Sequence, residues 1–139
     1  MKRILLPTDF TCHSKHTLEY VLNFLQDTQI SCHITLVNTY MVQQTDPRQV
    51  IQLNDQLKQT SKKGLEQALD YAQSQIKNPL ITVDIASHMG SLNNVVLQMI
   101  RDKEFDLVAM GKNGGKHVET ISVLLKQLEC PLLITYLKE

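Results

Sequence analysis

Phe105-Asp106-Leu107-Val108-Ala109-Met110-Gly111 is an almost unbroken apolar run that closes on a glycine. A strand with one wet face alternates apolar and polar residues, whereas a continuous apolar strand is buried on both faces. Phe105 to Met110 is therefore expected to be a strand of a sheet covered by helices on both sides. The flanks agree. Upstream, Gly90-Ser91 turns the chain, Ser91 is placed to cap a helix, and Leu92, Val95, Val96, Met99 and Ile100 recur at helical spacing. Downstream, Gly111 to Gly115 reads as a tight glycine-rich loop and Val118 to Leu128 as a helix with Ile121, Leu124, Leu125 and Leu128 inward. Cys130-Pro131 breaks that helix before a last strand, Leu132 to Leu137.

The same alternation reaches back to the start of the chain. Leu80 to Ala86 is a strand, with Ile81, Val83 and Ile85 facing one way. Before it, Pro47 is placed to open a helix striped by Val50, Leu53 and Leu57. Gly64 is expected to interrupt that helix before Leu65, Ala68, Leu69, Ala72 and Ile76 carry the stripe to Asn78-Pro79. His33 to Val37 is a strand. Ser14 to Leu25 is a helix with Leu18, Val21, Leu22 and Leu25 inward, and Thr11 and Ser14 are both candidate caps. Ile4-Leu5-Leu6-Pro7 is a buried strand that stops at its proline. The order β-α-β-α-β-α-β-α-β implies an α/β fold: a five-stranded parallel sheet with right-handed crossovers and helices on both faces. Ligands on such sheets lie at the carboxyl ends of the strands, where strand order reverses.

With 139 residues the chain is read as one domain, 1–139. Lys plus Arg and Asp plus Glu both number 14, so there is no basic excess to draw a polyanion, and no nucleic-acid partner is expected. The only apolar run near the start, Ile4-Leu5-Leu6, is too short for a membrane span or secretory core, and the cysteine count is odd. A cytoplasmic protein without a membrane partner is the expectation.

Catalytic and metal readings find little support. Cys12 stands at a helix start, where a thiolate is stabilised, with His13 and His16 close by, but no orienting acid is evident. Cys12 and His16 share a helix face, yet Cys32 and His33 come from another strand and zinc wants three or four ligands. His88 reads as a solvated residue following the third strand, and Lys58, Lys62 and Lys63 as a wet helix face. Asp9 lacks the acidic neighbours that hold magnesium in a response regulator. There is no G-x-S-x-G elbow, and no G-x-G-x-x-G after the first strand.

Four segments together resemble the universal stress protein family. They are Ile4-Leu5-Leu6-Pro7-Thr8-Asp9-Phe10-Thr11 with Ser14 and Leu18-Glu19-Tyr20; Ile34 to Tyr40; Gly90-Ser91-Leu92 with Ile100 and Phe105 to Gly111; and Cys130-Pro131-Leu132-Leu133-Ile134. The resemblance spans essentially the whole chain. It implies strand order 3-2-1-4-5, a Rossmann-like sheet of the adenine nucleotide alpha hydrolase type. It also implies homodimers paired through the last strand, Leu132, Leu133, Ile134, Thr135 and Tyr136.

The resemblance further implies a nucleotide site at Pro7, Thr8, Asp9, Thr39, Met110, Gly111, Lys112, Gly114 and Lys116, with ATP or AMP as candidate cofactors. Asp9 would lie near adenine and ribose, or else cap the helix that follows it. Thr39 would offer backbone to the adenine and Met110 would line its other side, unless both are simply strand-end packing. ATP-binding members of the family carry G-x-x-G, nine residues, then G-[ST]. Gly111-Lys112-Asn113-Gly114 supplies the first half. Leu124-Leu125 stands where the second belongs, and counting back from Cys130-Pro131 gives Val118-Glu119. Glu119 in the first helical turn would repel phosphate, partly offset by Lys112, Lys116 and His117. Triphosphate binding is thus expected to be weak or absent. The leading expectation is a non-enzymatic, dimeric stress-response module that binds an unidentified protein partner. The alternative is an ATP- or AMP-binding switch.

Overall fold

A computed structural model describes residues 1–42, 48–112, 118–127 and 129–136. The elements are β1 (Lys2–Pro7), α1 (Cys12–Leu25), β2 (Cys32–Tyr40), α2 (Val50–Gln75), β3 (Ile81–Met89), α3 (Leu92–Asp102), β4 (Leu107–Lys112), α4 (Val118–Gln127) and β5 (Leu132–Tyr136). All pairings are parallel and the sheet runs β3-β2-β1-β4-β5, as expected.

Strand pleat divides the apolar runs between two layers, because successive side chains point to opposite faces. Ile4 and Leu6 of β1 join Ile34 and Leu36 of β2 and Ala109 of β4 beneath α1 and α2. Leu5, Val37, Val108 and Met110 point the other way, against Val95, Val96 and Met99 of α3 and Leu124 of α4. Ile81, Val83 and Ile85 all meet the first layer, as their alternation predicts. Leu5 and Leu6 are both fully buried. Burying such a side chain contributes about 1.5–3 kcal/mol, so β1 anchors both layers at once.

Element boundaries differ from the sequence reading in several places. Helix α1 starts at Cys12 because Thr11 is the cap, its hydroxyl accepting from the Ser14 amide at 3.4 Å. Strand β3 runs on through His88, which pairs with Thr39, so His88 does not follow the strand but belongs to it. Gly64 does not interrupt α2, which is continuous from Val50 to Gln75. A single glycine costs a helix only about 1 kcal/mol, and the burial of Ser61 before it and of Leu65 and Ala72 after it offsets that cost. Pro47 and Leu137 lie outside the described residues.

Two contacts fix how α1 rests on the rest. The first is with β4 and β5. A Cβ on Gly111 would stand 2.7 Å from the Thr17 hydroxyl oxygen and 3.1 Å from the His13 carbonyl oxygen, so only glycine lets β4 approach the helix this closely. The buried Thr17 and Thr135 hydroxyls share a hydrogen bond of 2.6 Å, and Thr17 also donates to the His13 carbonyl at 3.0 Å. The second contact is with α2. The Tyr71 hydroxyl donates to Glu19 Oε1 at 2.5 Å, and the Lys15 ammonium lies 4.5 Å from the centroid of the Tyr71 ring. The hydrogen bond to Glu19, then burial, then the carboxylate's charge hold the Tyr71 phenol above its ordinary pKa of 10.0.

Gly111→Ala is expected to lower stability by about 1–3 kcal/mol, the usual cost of forcing extra atoms into a packed contact. The shift of the urea midpoint measures it. For Tyr71, a raised folded-state pKa means that the protonated form is the one the fold prefers. Its contribution is fully present below pH 10 and lost as pH rises through the folded pKa. The Tm gap between wild type and Tyr71→Phe should therefore be constant at neutral pH and close above pH 10. A gap that widens with alkali would contradict this.

Candidate functional site

The strand order reverses between β1 and β4, and the carboxyl ends of β1, β2 and β4 open there onto a cleft of about 210 Å³. Pro7, Thr8 and Asp9 form one wall, Asn38 and Thr39 a second, and Met110 and Gly111 a third. Leu92 and Thr120 reach in from α3 and α4.

The first wall is held rigidly. Asp9 Oδ1 accepts from the Thr11 amide at 3.1 Å, from the Thr11 hydroxyl at 2.5 Å and from the Ser14 hydroxyl at 2.7 Å. The Ser14 oxygen in turn accepts from the Asp9 amide at 3.1 Å. The capping reading of Asp9 is therefore met in part: Thr11 is the cap, and Asp9 holds the cap in place. This fold-back puts Phe10 at φ 65°, in the left-handed region that a bulky side chain rarely enters. Across the cleft, the Asn38 amide donates to the Thr8 carbonyl at 2.8 Å and ties β2 to the β1–α1 turn.

Of the expected nucleotide residues, Pro7, Thr8, Asp9, Thr39, Met110 and Gly111 all line one cleft. Lys112 ends β4 beside them. Gly114, Lys116 and His117 lie outside the described residues. Gly111 has a role the motif did not suggest: its bare Cα makes room for α1. Asn38, Ser14, Leu92 and Thr120 were not foreseen as cleft residues. Thr120 was the most accessible of these from sequence. Counting back from Cys130-Pro131 gave Val118-Glu119, and the hydroxyl stands one residue further on, in the first turn of α4.

The thiol and metal readings gain nothing. Cys12 is exposed at the first position of α1 at one end of the sheet, while Cys32 is buried at the start of β2 at the other. Burial, then the charge of Asp106, pushes the Cys130 thiol up. His33 is engaged by Thr82 at 2.6 Å and Asp84 at 3.1 Å. Among the described residues no three His, Cys, Asp or Glu come together in a way that could hold a metal ion. Lys58, Lys62 and Lys63 are exposed on α2, and no described helix is long and apolar enough to cross a membrane. The cleft offers backbone groups, an apolar wall and hydroxyls, an arrangement suited to holding a planar ring and a polar sugar.

Comparison with solved structures finds the same architecture repeatedly. The universal stress protein UspA from Lactobacillus plantarum superposes with a TM-score of 0.75 at 17% identity, over 96% of each chain. A universal stress protein family protein from Arabidopsis thaliana, with AMP bound, gives 0.74 at 13% identity, over 99% of this chain and 93% of that one. A universal stress protein in complex with cAMP gives 0.68 at 12% identity, over 99% and 98%. No curated protein sequence matches. The model of the universal stress protein family matches residues 1–135, and the chain belongs to that family.

Proposed function

We propose that this protein is a cytoplasmic nucleotide-responsive module that binds an adenine mononucleotide, in preference to ATP, in the cleft at the carboxyl ends of β1, β2 and β4. The observation that carries the reading is the convergence of Thr8, Asp9, Thr39, Met110 and Gly111 on one cleft at the point where strand order reverses. AMP and cAMP bound to two relatives of the same fold support the ligand class. The first turn of α4 supports a mononucleotide. Thr120 brings a hydroxyl to the cleft, suited to one phosphate, while the sequence there lacks the Gly-[ST] pair that the ATP-binding members carry. This reverses the order of preference drawn from sequence, where the partner-binding module led and the switch was the alternative.

A second observation favours self-association through β5. The sheet has two edges, β3 and β5. Strand β3 carries Asp84 and the exposed His88, charged and polar residues of the kind that discourage edge pairing. Strand β5, Leu132 to Tyr136, carries no charge, and Tyr136 is 63% exposed. Beside it, Tyr20 and the 74% exposed Phe24 lie three and seven residues past Thr17, on the helix face that meets Thr135. A second copy of the chain, paired at β5 and sealed by these aromatics, fits the edge.

Thermal unfolding tests the nucleotide reading. AMP at a hundred times its Kd should add about 2.7 kcal/mol, and ATP at the same concentration clearly less. Thr120→Val should weaken AMP about three- to tenfold, the worth of one hydrogen bond. No rise with AMP would sink the reading. For the edge, Ile134→Pro should sediment as a monomer while keeping its circular dichroism, and an unchanged sedimentation profile would argue against β5 pairing.

A further inference from the structure

The cleft has two ends, and the sheet sets them apart. Strand β1 lies between β2 and β4, so those two strands stand two strand spacings from each other, roughly 10 Å. Gly111 and Thr120 mark the β4 end, where the reading above puts the phosphate. A mononucleotide lying across β1 from there brings its base to the β2 end, against Asn38 and Thr39. What Asn38 offers at that end decides which base is accepted.

The Asn38 side chain is held by bonds within the fold. Its backbone pairs in register with Ser87 of β3. Val37, one residue back, accepts from the Thr8 amide at 2.8 Å, and the Thr8 carbonyl accepts from Asn38 Nδ2 at 2.8 Å. A carbonyl can only accept, so the atom facing Thr8 must be the amide nitrogen. Oδ1 is then the other branch, fixed in one orientation. It is not buried, and it has no hydrogen-bond partner among the described residues. A serine or lysine could also tie β2 to Thr8. A carboxamide makes the tie and presents a fixed, uncharged acceptor as well.

We propose that Asn38 selects the base: its Oδ1 accepts a hydrogen bond from the 6-amino group of adenine and turns away 6-oxopurines. The inference rests on the mononucleotide reading above and names the residue that sets its specificity. Adenine carries N–H donors at position 6, whereas hypoxanthine and guanine carry a carbonyl oxygen there. A 6-oxo group would set acceptor against acceptor and leave both oxygens without a donor. Asn38 cannot adapt by turning its amide over, because Oδ1 would then face the Thr8 carbonyl.

Calorimetric titration with AMP, IMP and purine riboside 5′-monophosphate, which bears only hydrogen at position 6, tests this. The wild type should bind AMP about tenfold more tightly than IMP, with the unsubstituted purine between them. Asn38→Ala should weaken AMP about three- to tenfold and leave IMP unchanged, so that the preference for AMP falls by the same factor. The wild type gives a second measurement that needs no variant: the Asn38 side-chain amide resonances should shift more with AMP than with IMP at equal saturation. Equal affinity of the wild type for AMP and IMP would overturn the proposal and leave the mononucleotide cleft standing. Equal weakening of both ligands by Asn38→Ala would reduce Asn38 to a tie between β2 and the turn, and would overturn it too. Absence of binding by all three nucleotides would sink the mononucleotide reading itself, and this proposal with it.

Discussion

The Asp9 carboxylate organises the carboxyl end of the sheet, where strand order reverses. One oxygen gathers the Thr11 amide, the Thr11 hydroxyl and the Ser14 hydroxyl, and so folds the chain back at the end of β1. Three consequences follow from that single turn. Thr11 is brought into place as the cap of α1, Phe10 is forced into its left-handed conformation, and the backbone of Thr8 and Asp9 is presented to the cleft.

The turn can serve as a fixed wall only because α1 is itself fixed. Its Leu18, Val21, Leu22 and Leu25 are buried over the sheet, and Thr17 bonds to Thr135 where Gly111 lets the backbones draw together. Leu5 and Leu6 of β1 feed opposite layers, so a shift of this strand would disturb both cores. The carboxyl ends of β1, β2 and β4 are thereby held as a rigid frame, and a ligand there meets a preformed surface.

Much of this frame was legible in the sequence. Continuous apolar runs at Ile4 to Leu6 and Phe105 to Met110 marked strands covered on both faces, although β4 begins only at Leu107 and takes in Gly111 and Lys112, which read as the start of a loop, and strict alternation of strands and helices marked the parallel sheet. The strand order came from the resemblance, not from periodicity, because alternation leaves the order of strands open. What periodicity misjudged was local. Gly64 looks like a helix break in isolation, yet the buried residues on both sides of it keep α2 whole, and its lack of a side chain serves the Phe10 ring instead. Gly111 looked like a phosphate-loop glycine, and its tight contact is with Thr17 and His13, partners nearly a hundred residues away in sequence. Asn38 and Thr120 escaped notice for the same reason: each acts across the cleft, on elements that only the folded sheet brings near.

The central claim is that the cleft beside Asp9 holds an adenine mononucleotide. Backbone amide NMR during an AMP titration tests it most directly. The account predicts saturable shifts concentrated at Thr8, Asp9, Thr39, Met110 and Gly111, with little change at Leu18 or Ala68 on the other side of the turn. Saturable binding with shifts elsewhere, or no shifts at millimolar AMP, would contradict it.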